Sequence, residues 1–175
     1  MRRSLTRRSA LALALSVASV AGLSSCVLTN GPVPMDFGYR MESGELVVAV
    51  PLCPAEHIHG AVIETAVDGE GRGDGFETLW SASGPRSPQV SRGVFVVDSM
   101  RSFTTQEKAR SKPLPKVFYV ATRTASAGEV TEAASGTVDL GRLKSVKLAD
   151  DEFLTYEGKV MTREEINAQR TCSKT

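Results

Sequence analysis

The chain has 175 residues with 15 Gly, 8 Pro, 3 Cys and only 6% aromatic side chains, and it is 41% hydrophobic and 23% charged. That is the size of one domain and an ordinary globular composition, and it excludes a charged disordered tail, a disulfide knot and a multi-pass membrane protein. The net charge of +1 conceals two regions: residues 1–25 hold Arg2, Arg3, Arg7 and Arg8 and no acid, which leaves 17 of the 21 basic side chains against all 20 acidic ones in the remainder.

The four arginines precede an uncharged run, residues 9–25 (SALALALSVASVAGLSS), and together they read as the charged and apolar regions of an export signal. About 18 or more apolar residues are needed for a permanent membrane-spanning helix. This run is shorter and rich in Ala, Ser and Gly, so it reads as a removable signal. It ends in Leu23-Ser24-Ser25-Cys26, which resembles the bacterial lipobox. The resemblance implies that the Cys26 thiol receives a diacylglyceryl group, that residues 1–25 are cut away, and that Cys26 becomes the first residue of the mature chain. An ordinary secretory signal that happens to end beside a cysteine is the alternative. Residues 6–11 (TRRSAL) also look like a twin-arginine signal, with Ala10 where a bulky apolar residue is common, so the twin-arginine and general secretory routes both stay open. Each buried acyl methylene contributes about 0.8 kcal/mol, and two chains suffice for stable anchoring where one is marginal. The expected location is the extracytoplasmic face of the cell membrane, held there by lipid.

Residues 26–44 form the expected lipidated tether. Pro32, Pro34 and three glycines interrupt it without sustained periodicity, and 18 flexible residues reach roughly 20–25 Å. The alternation of Phe37, Tyr39 and Met41 leaves a first edge strand open instead. From residue 45 to 175 the chain reads as the domain. Short apolar runs recur at residues 45–50 (ELVVAV), 58–67 (IHGAVIETAV), 76–81 (FETLWS), 94–97 (VFVV), 116–122 (KVFYVAT), 136–140 (GTVDL) and 145–148 (SVKL), with 153–156 (FLTY) as an eighth. They are the lengths of strands, and turn-forming pairs such as Asp68-Gly69, Asp74-Gly75 and Gly84-Pro85 separate them. Seven or eight such strands in about 130 residues point to an all-β fold, an immunoglobulin-like antiparallel β-sandwich. One segment reads as helix, at the C-terminus over residues 163–170. Thr162 is its N-cap, Glu165 completes a capping box, and Met161 and Ile166 occupy the positions of a hydrophobic staple. The polar stretch 99–115 reads as a long surface loop.

With Cys26 consumed by lipid, Cys53 and Cys172 remain. An even pair outside the cytosol is best read as a disulfide, and this one closes a loop of about 120 residues, for which chain entropy gives roughly 4–5 kcal/mol. An apolar strand running into Pro51-Leu52-Cys53-Pro54, with a second Cys near the C-terminus, resembles small actinobacterial lipoproteins. No activity comes with that resemblance. The lone Trp80 lies 27 residues after Cys53 and 92 before Cys172, unlike the tight Cys, Trp, Cys spacing of antibody domains, so only the general sandwich carries over.

For chemistry, His57-Ile58-His59 is the strongest local pattern. On an extended chain both imidazoles share a face and could take zinc or copper, with Glu56 or a distant carboxylate completing the set. The plainer reading makes His59, in phase with Ala61, Ile63 and Val67, a half-buried strand residue and His57 a loop residue. Residues 68–75 alternate Gly with charge, but Arg72 stands where a calcium loop needs oxygen, and Arg72-Gly73-Asp74 is a short tripeptide that recurs by chance. The stretch reads as a hairpin loop. Neither Gly-x-Ser-x-Gly nor His-Glu-x-x-His occurs, and Asp150-Asp151-Glu152 reads as a solvated turn. Residues 99–116 hold Arg101, Lys108, Arg110, Lys112 and Lys116 against Glu107 alone, a cationic stretch suited to anionic lipid or wall polymer. Phe103 is its one stacking side chain, which gives nucleic acid little to hold.

These readings combine into a lipid-anchored binding or envelope module with no cofactor and no evident catalysis, whose partner is an unknown protein or cell-wall ligand. A metal-handling lipoprotein using His57 and His59 is the alternative. Replacing Cys26 by Ser is expected to abolish fatty-acid labelling and move the protein out of the membrane fraction. Metabolic labelling and fractionation of expressing cells read both outcomes.

Overall fold

The structure, a computed structural model, describes residues 35–67, 75–126 and 129–172, all within the compact unit Pro32–Thr175. The expected export signal and Cys26 lie outside the described residues, as do 68–74, which carry most of the Gly-rich stretch and the Arg-Gly-Asp tripeptide.

Among the described residues ten strands form, with three short helices between them. The strands are β1 (Gly38–Glu42), β2 (Glu45–Ala49), β3 (His57–Ala66), β4 (Phe76–Pro85), β5 (Val94–Val96), β6 (Phe103–Lys108), β7 (Val117–Ser126), β8 (Glu129–Asp139), β9 (Glu152–Leu154) and β10 (Val160–Thr162). The helices are α1 (Pro88–Ser91), α2 (Leu140–Leu143) and α3 (Arg163–Ala168). Sheet I has the order β10-β9-β1-β2-β5 and sheet II the order β6-β4-β3-β7-β8, with antiparallel pairing throughout. The two pack as the all-β sandwich expected from the strand spacing, with the C-terminal helix in place.

Alternation explains why the strong runs form strands. In β7 Phe118, Val120, Thr122 and Thr124 are buried while the residues between them are not, the period of two that lays one face on a core. Trp80 and Phe103 of sheet II meet edge to face at 5.8 Å, and Phe103 meets Phe95 of sheet I at 5.5 Å, so an aromatic column bridges the sheets. Tyr39 is fully buried, and its hydroxyl donates to the Thr155 carbonyl at 3.3 Å, which satisfies the one polar atom that it brings inside.

Several boundaries differ from the sequence reading. Residues 35–44 belong to the folded body and not to the tether: β1 pairs with β2 from Gly38↔Ala49 to Glu42↔Glu45 and with β9 at Tyr39↔Leu154, which makes it an interior strand rather than an edge. Ser43 and Gly44 both take positive φ, 51° and 84°, the primed two-residue turn that matches strand twist, with Gly at the position where such backbone is free of Cβ strain. The expected loop 99–115 contains β6, recruited by β4 through pairs such as Pro85↔Phe103. Residues 145–148 are irregular instead of a strand, with Val146 and Leu148 packed against the main core. Two four-residue helices, α1 and α2, add to the one expected.

At α3 the capping box is present, with the Thr162 side chain accepting from the Glu165 N–H and the Glu165 carboxylate accepting from the Thr162 N–H at 2.7 Å. Ile166 is fully buried in a small second cluster with Val47, Ala49 and Phe153 on the outer face of sheet I, and Met161 packs beside it, as a staple requires. Close approach is possible because residue 38 is Gly: a Cβ there would collide with Ile166 Cδ1 and lie 2.6 Å from the Phe153 Cβ. Arg163 donates from Nη1 to the Val50 carbonyl at 2.7 Å and from Nη2 to the Arg92 carbonyl at 2.6 Å, and burial pushes its pKa down to about 10. Gly38→Val is expected to lift α3 from the sheet and cost about 1–3 kcal/mol in urea unfolding, while Trp80→Ala, which empties the main core, costs about 3–5 kcal/mol.

Candidate binding face

The outward side chains of sheet II come together on four of its five strands, β6, β4, β3 and β7. Because Phe118, Val120 and Thr122 point inward, Tyr119, Ala121 and Arg123 point out. Register then fixes their neighbours. Tyr119 stands opposite Glu64, Ala121 opposite Val62 and Arg123 opposite Gly60, and on the other side of β3 lie Thr78, Ser81 and Ser83 in the same rows.

One end of this face is aromatic. Phe76, opposite Ala66, sets its ring edge-on to Tyr119 at 5.1 Å and is nevertheless 58% exposed, with Val117 exposed beyond it. The other end is charged. Arg123 Nη2 donates to Glu107 Oε2 at 2.8 Å and Oε1 at 3.0 Å. Glu107 is the additional residue of a β-bulge, since Lys108 faces Ser81 while Gln106 faces Ala82, and bulges re-aim side chains in this way. The Ser83 hydroxyl foremost, then the Arg123 guanidinium and the Ser81 hydroxyl, hold the Glu107 carboxyl below the ordinary glutamate range against an opposing effect of burial. A carboxylate so fixed in its charged form is a standing acceptor rather than a proton shuttle at neutral pH.

His57 lies on the same face, opposite Ala125 and exposed. It is a strand residue rather than a loop residue. His59 falls in the bulge between Ile58 and Gly60, which breaks the phase with Ala61 and Ile63 and leaves it exposed instead of half-buried. Glu56 is committed elsewhere, accepting from the Cys53 N–H at 2.9 Å and pairing with Arg170. Among the described residues no three His, Cys, Asp or Glu side chains stand close enough to hold a metal ion, so the two imidazoles have no third donor there.

The cationic stretch read along the chain is dispersed in space. Arg101 pairs with Glu45, Arg110 with Asp98 at 2.7 Å and Lys112 with Glu77 at 3.2 Å, while Lys108 donates to the Thr78 carbonyl. An open depression of about 320 Å³ lined by Arg40, Met41, Glu42, Leu148, Ala149 and Asp150 is equally committed. The Arg40 guanidinium lies 4.7 Å over the Phe153 ring, binds Glu42 at 2.8 Å and donates to the Asp150 carbonyl. Asp150 and Asp151 sit in an exposed turn, and Glu152 opens β9 with its carboxylate accepting from the Ala149 N–H at 2.8 Å.

The Cys53–Cys172 disulfide is formed, with Cα atoms 5.6 Å apart. Comparison with protein-family models, with curated proteins and with solved structures gives no match.

Sequence reasoning picked out His57 and His59 on this face but not Phe76, Tyr119, Ser81, Ser83, Glu107 or Arg123. The alternation within residues 117–123 carried part of the signal. The Glu107 contribution required knowing that β6 exists. A carboxyl with a depressed folded-state pKa contributes stability above its unfolded value and loses it as pH falls through the folded one. Glu107→Gln is therefore expected to flatten the decline in stability below pH 4.5, the ordinary value for this group, in urea titrations compared with the parent chain.

Proposed function

We propose that the chain is a lipoprotein anchored through Cys26 to the extracytoplasmic face of the cell membrane, acting by binding rather than catalysis, with the outer face of sheet II as its contact surface for a cell-wall ligand. The lipobox and the charge, length and composition of residues 1–25 support the anchoring. One observation carries the binding reading: an aromatic pair, exposed Phe76 edge-on to half-buried Tyr119, shares a sheet face with a preassembled charged pair, Glu107 and Arg123. Rigid aromatic area beside oriented donors and acceptors is the composition of recognition surfaces. The serine hydroxyls of this face are turned to a charged carboxylate, which favours recognition over nucleophilic chemistry.

A wall polymer suits a shallow sheet better than a deep cleft would suit it. Sugar rings present an apolar side to Phe76 and hydroxyl or carboxylate groups to the charged end. Co-sedimentation of the purified chain with isolated cell-wall sacculi tests the reading. Phe76→Ala and Arg123→Gln are each expected to weaken retention about tenfold while circular dichroism stays that of the parent. Undiminished retention by both variants places the contact elsewhere, and no retention of the parent removes the wall as the partner.

A further inference from the structure

α3 is only six residues long, too short to persist alone, yet it reaches two segments remote in sequence. Toward the start of the folded body, Gln169 Oε1 accepts from the Asp36 N–H at 3.0 Å and Gln169 Nε2 donates to the Asp36 carbonyl at 2.9 Å. That reciprocal pair does for Asp36 what a neighbouring strand would do. Ile166 seats on Gly38 two residues further on. Toward the β2–β3 connection, Asn167 Oδ1 accepts from the Leu52 N–H at 3.1 Å, and Arg170 pairs with Glu56, whose other oxygen holds the Cys53 N–H. The Cys53–Cys172 bond closes the same circuit across 119 residues of sequence. Ile166 belongs to the small outer cluster of four buried residues, separate from the main core between the sheets.

We propose that α3 and the Cys53–Cys172 bond form a redox-sensitive clasp on residues 35–38: closed, it pins them to the β2–β3 connection, and opened by a dithiol reductant it releases them while both sheets stay folded. Both cysteines are partly exposed, so a reductant can reach them. A thiolate of the dithiol attacks one sulfur to form a mixed disulfide, and its second thiolate then displaces the protein sulfur. The products are two protein thiols and the cyclic disulfide of the reductant, a two-electron exchange that consumes no other species. The separation of the clusters makes the response local, because the aromatic column needs no contact with α3. Where the lipid-anchored reading holds, tension from the membrane enters the body through these pinned residues; the clasp itself does not depend on that reading.

Hydrogen–deuterium exchange of the full chain, read by mass spectrometry, tests the clasp whatever its acylation. Reduction by dithiothreitol, or the double variant Cys53→Ala/Cys172→Ala, is expected to speed exchange at least tenfold at residues 35–38, 51–56 and 163–172. Peptides from β2 in sheet I and from β3, β4 and β7 in sheet II are expected to change less than twofold. Gln169→Ala, with the bond intact, is expected to speed exchange in the peptide containing Asp36 alone. Unchanged exchange in the clasp peptides on reduction overturns the proposal, and so does equal acceleration throughout both sheets, which makes the bond a global staple. An Asp36 peptide as slow in Gln169→Ala as in the parent removes Gln169 from the clasp.

Discussion

Trp80 and Phe103 project inward from sheet II and Phe95 from sheet I, and the edge contacts of these three rings set the distance between the layers. Side chains that meet inside leave their alternate neighbours outside, so the same packing dictates which residues of β3, β4 and β7 form the outer surface of sheet II. Tyr119 and Arg123 face outward because Phe118, Val120 and Thr122 face inward. The proposed binding surface is thus a by-product of core formation, and its rigidity derives from the core beneath it.

The two sheets are covered unequally. The outer side of sheet I is closed by α3, where Ile166 meets Gly38, Val47, Ala49 and Phe153, and Arg163 fastens the helix to the carbonyls of Val50 and Arg92. Phe76, on the outer side of sheet II, keeps more than half its surface in solvent. An aromatic side chain left in water forgoes roughly 1.5–3 kcal/mol of burial, which is why the asymmetry between the faces directs attention to sheet II.

Legibility followed the locality of the determinants. The runs at 45–50, 58–67, 76–81 and 116–122 carry their own alternation or apolar continuity and became strands, and the cap at Thr162 is encoded within four residues. The Cys53 and Cys172 pairing was legible by count alone. What escaped depended on partners far away. β1 looked like linker because the glycines and prolines of residues 26–44 suggest flexibility, whereas Gly38 is there to admit Ile166, and Gly44 to turn the hairpin. β6 looked like loop because Thr104, Thr105, Gln106 and Glu107 are polar, yet an edge strand with one covered face needs little more than Phe103. The single extra residue at His59 reversed its predicted facing, and no periodicity rule sees a bulge. The positive run around residue 110 was real in sequence, and in space three of its five cations are paired, with Glu45, Asp98 and Glu77.

The place of β1 within sheet I governs the order of assembly. It lies between β2 and β9, and its Tyr39 donates to a carbonyl 116 residues away. The first strand to emerge from a ribosome or a translocation pore can form its hairpin with β2 at once, but must wait for nearly the whole chain before its other edge is paired. Contacts of such sequence separation slow folding. Until residues 152–172 arrive, one edge of β1 and the Gly38 seat stand open to water, so sheet I is completed last and the newly made chain spends that interval as a half-built sandwich.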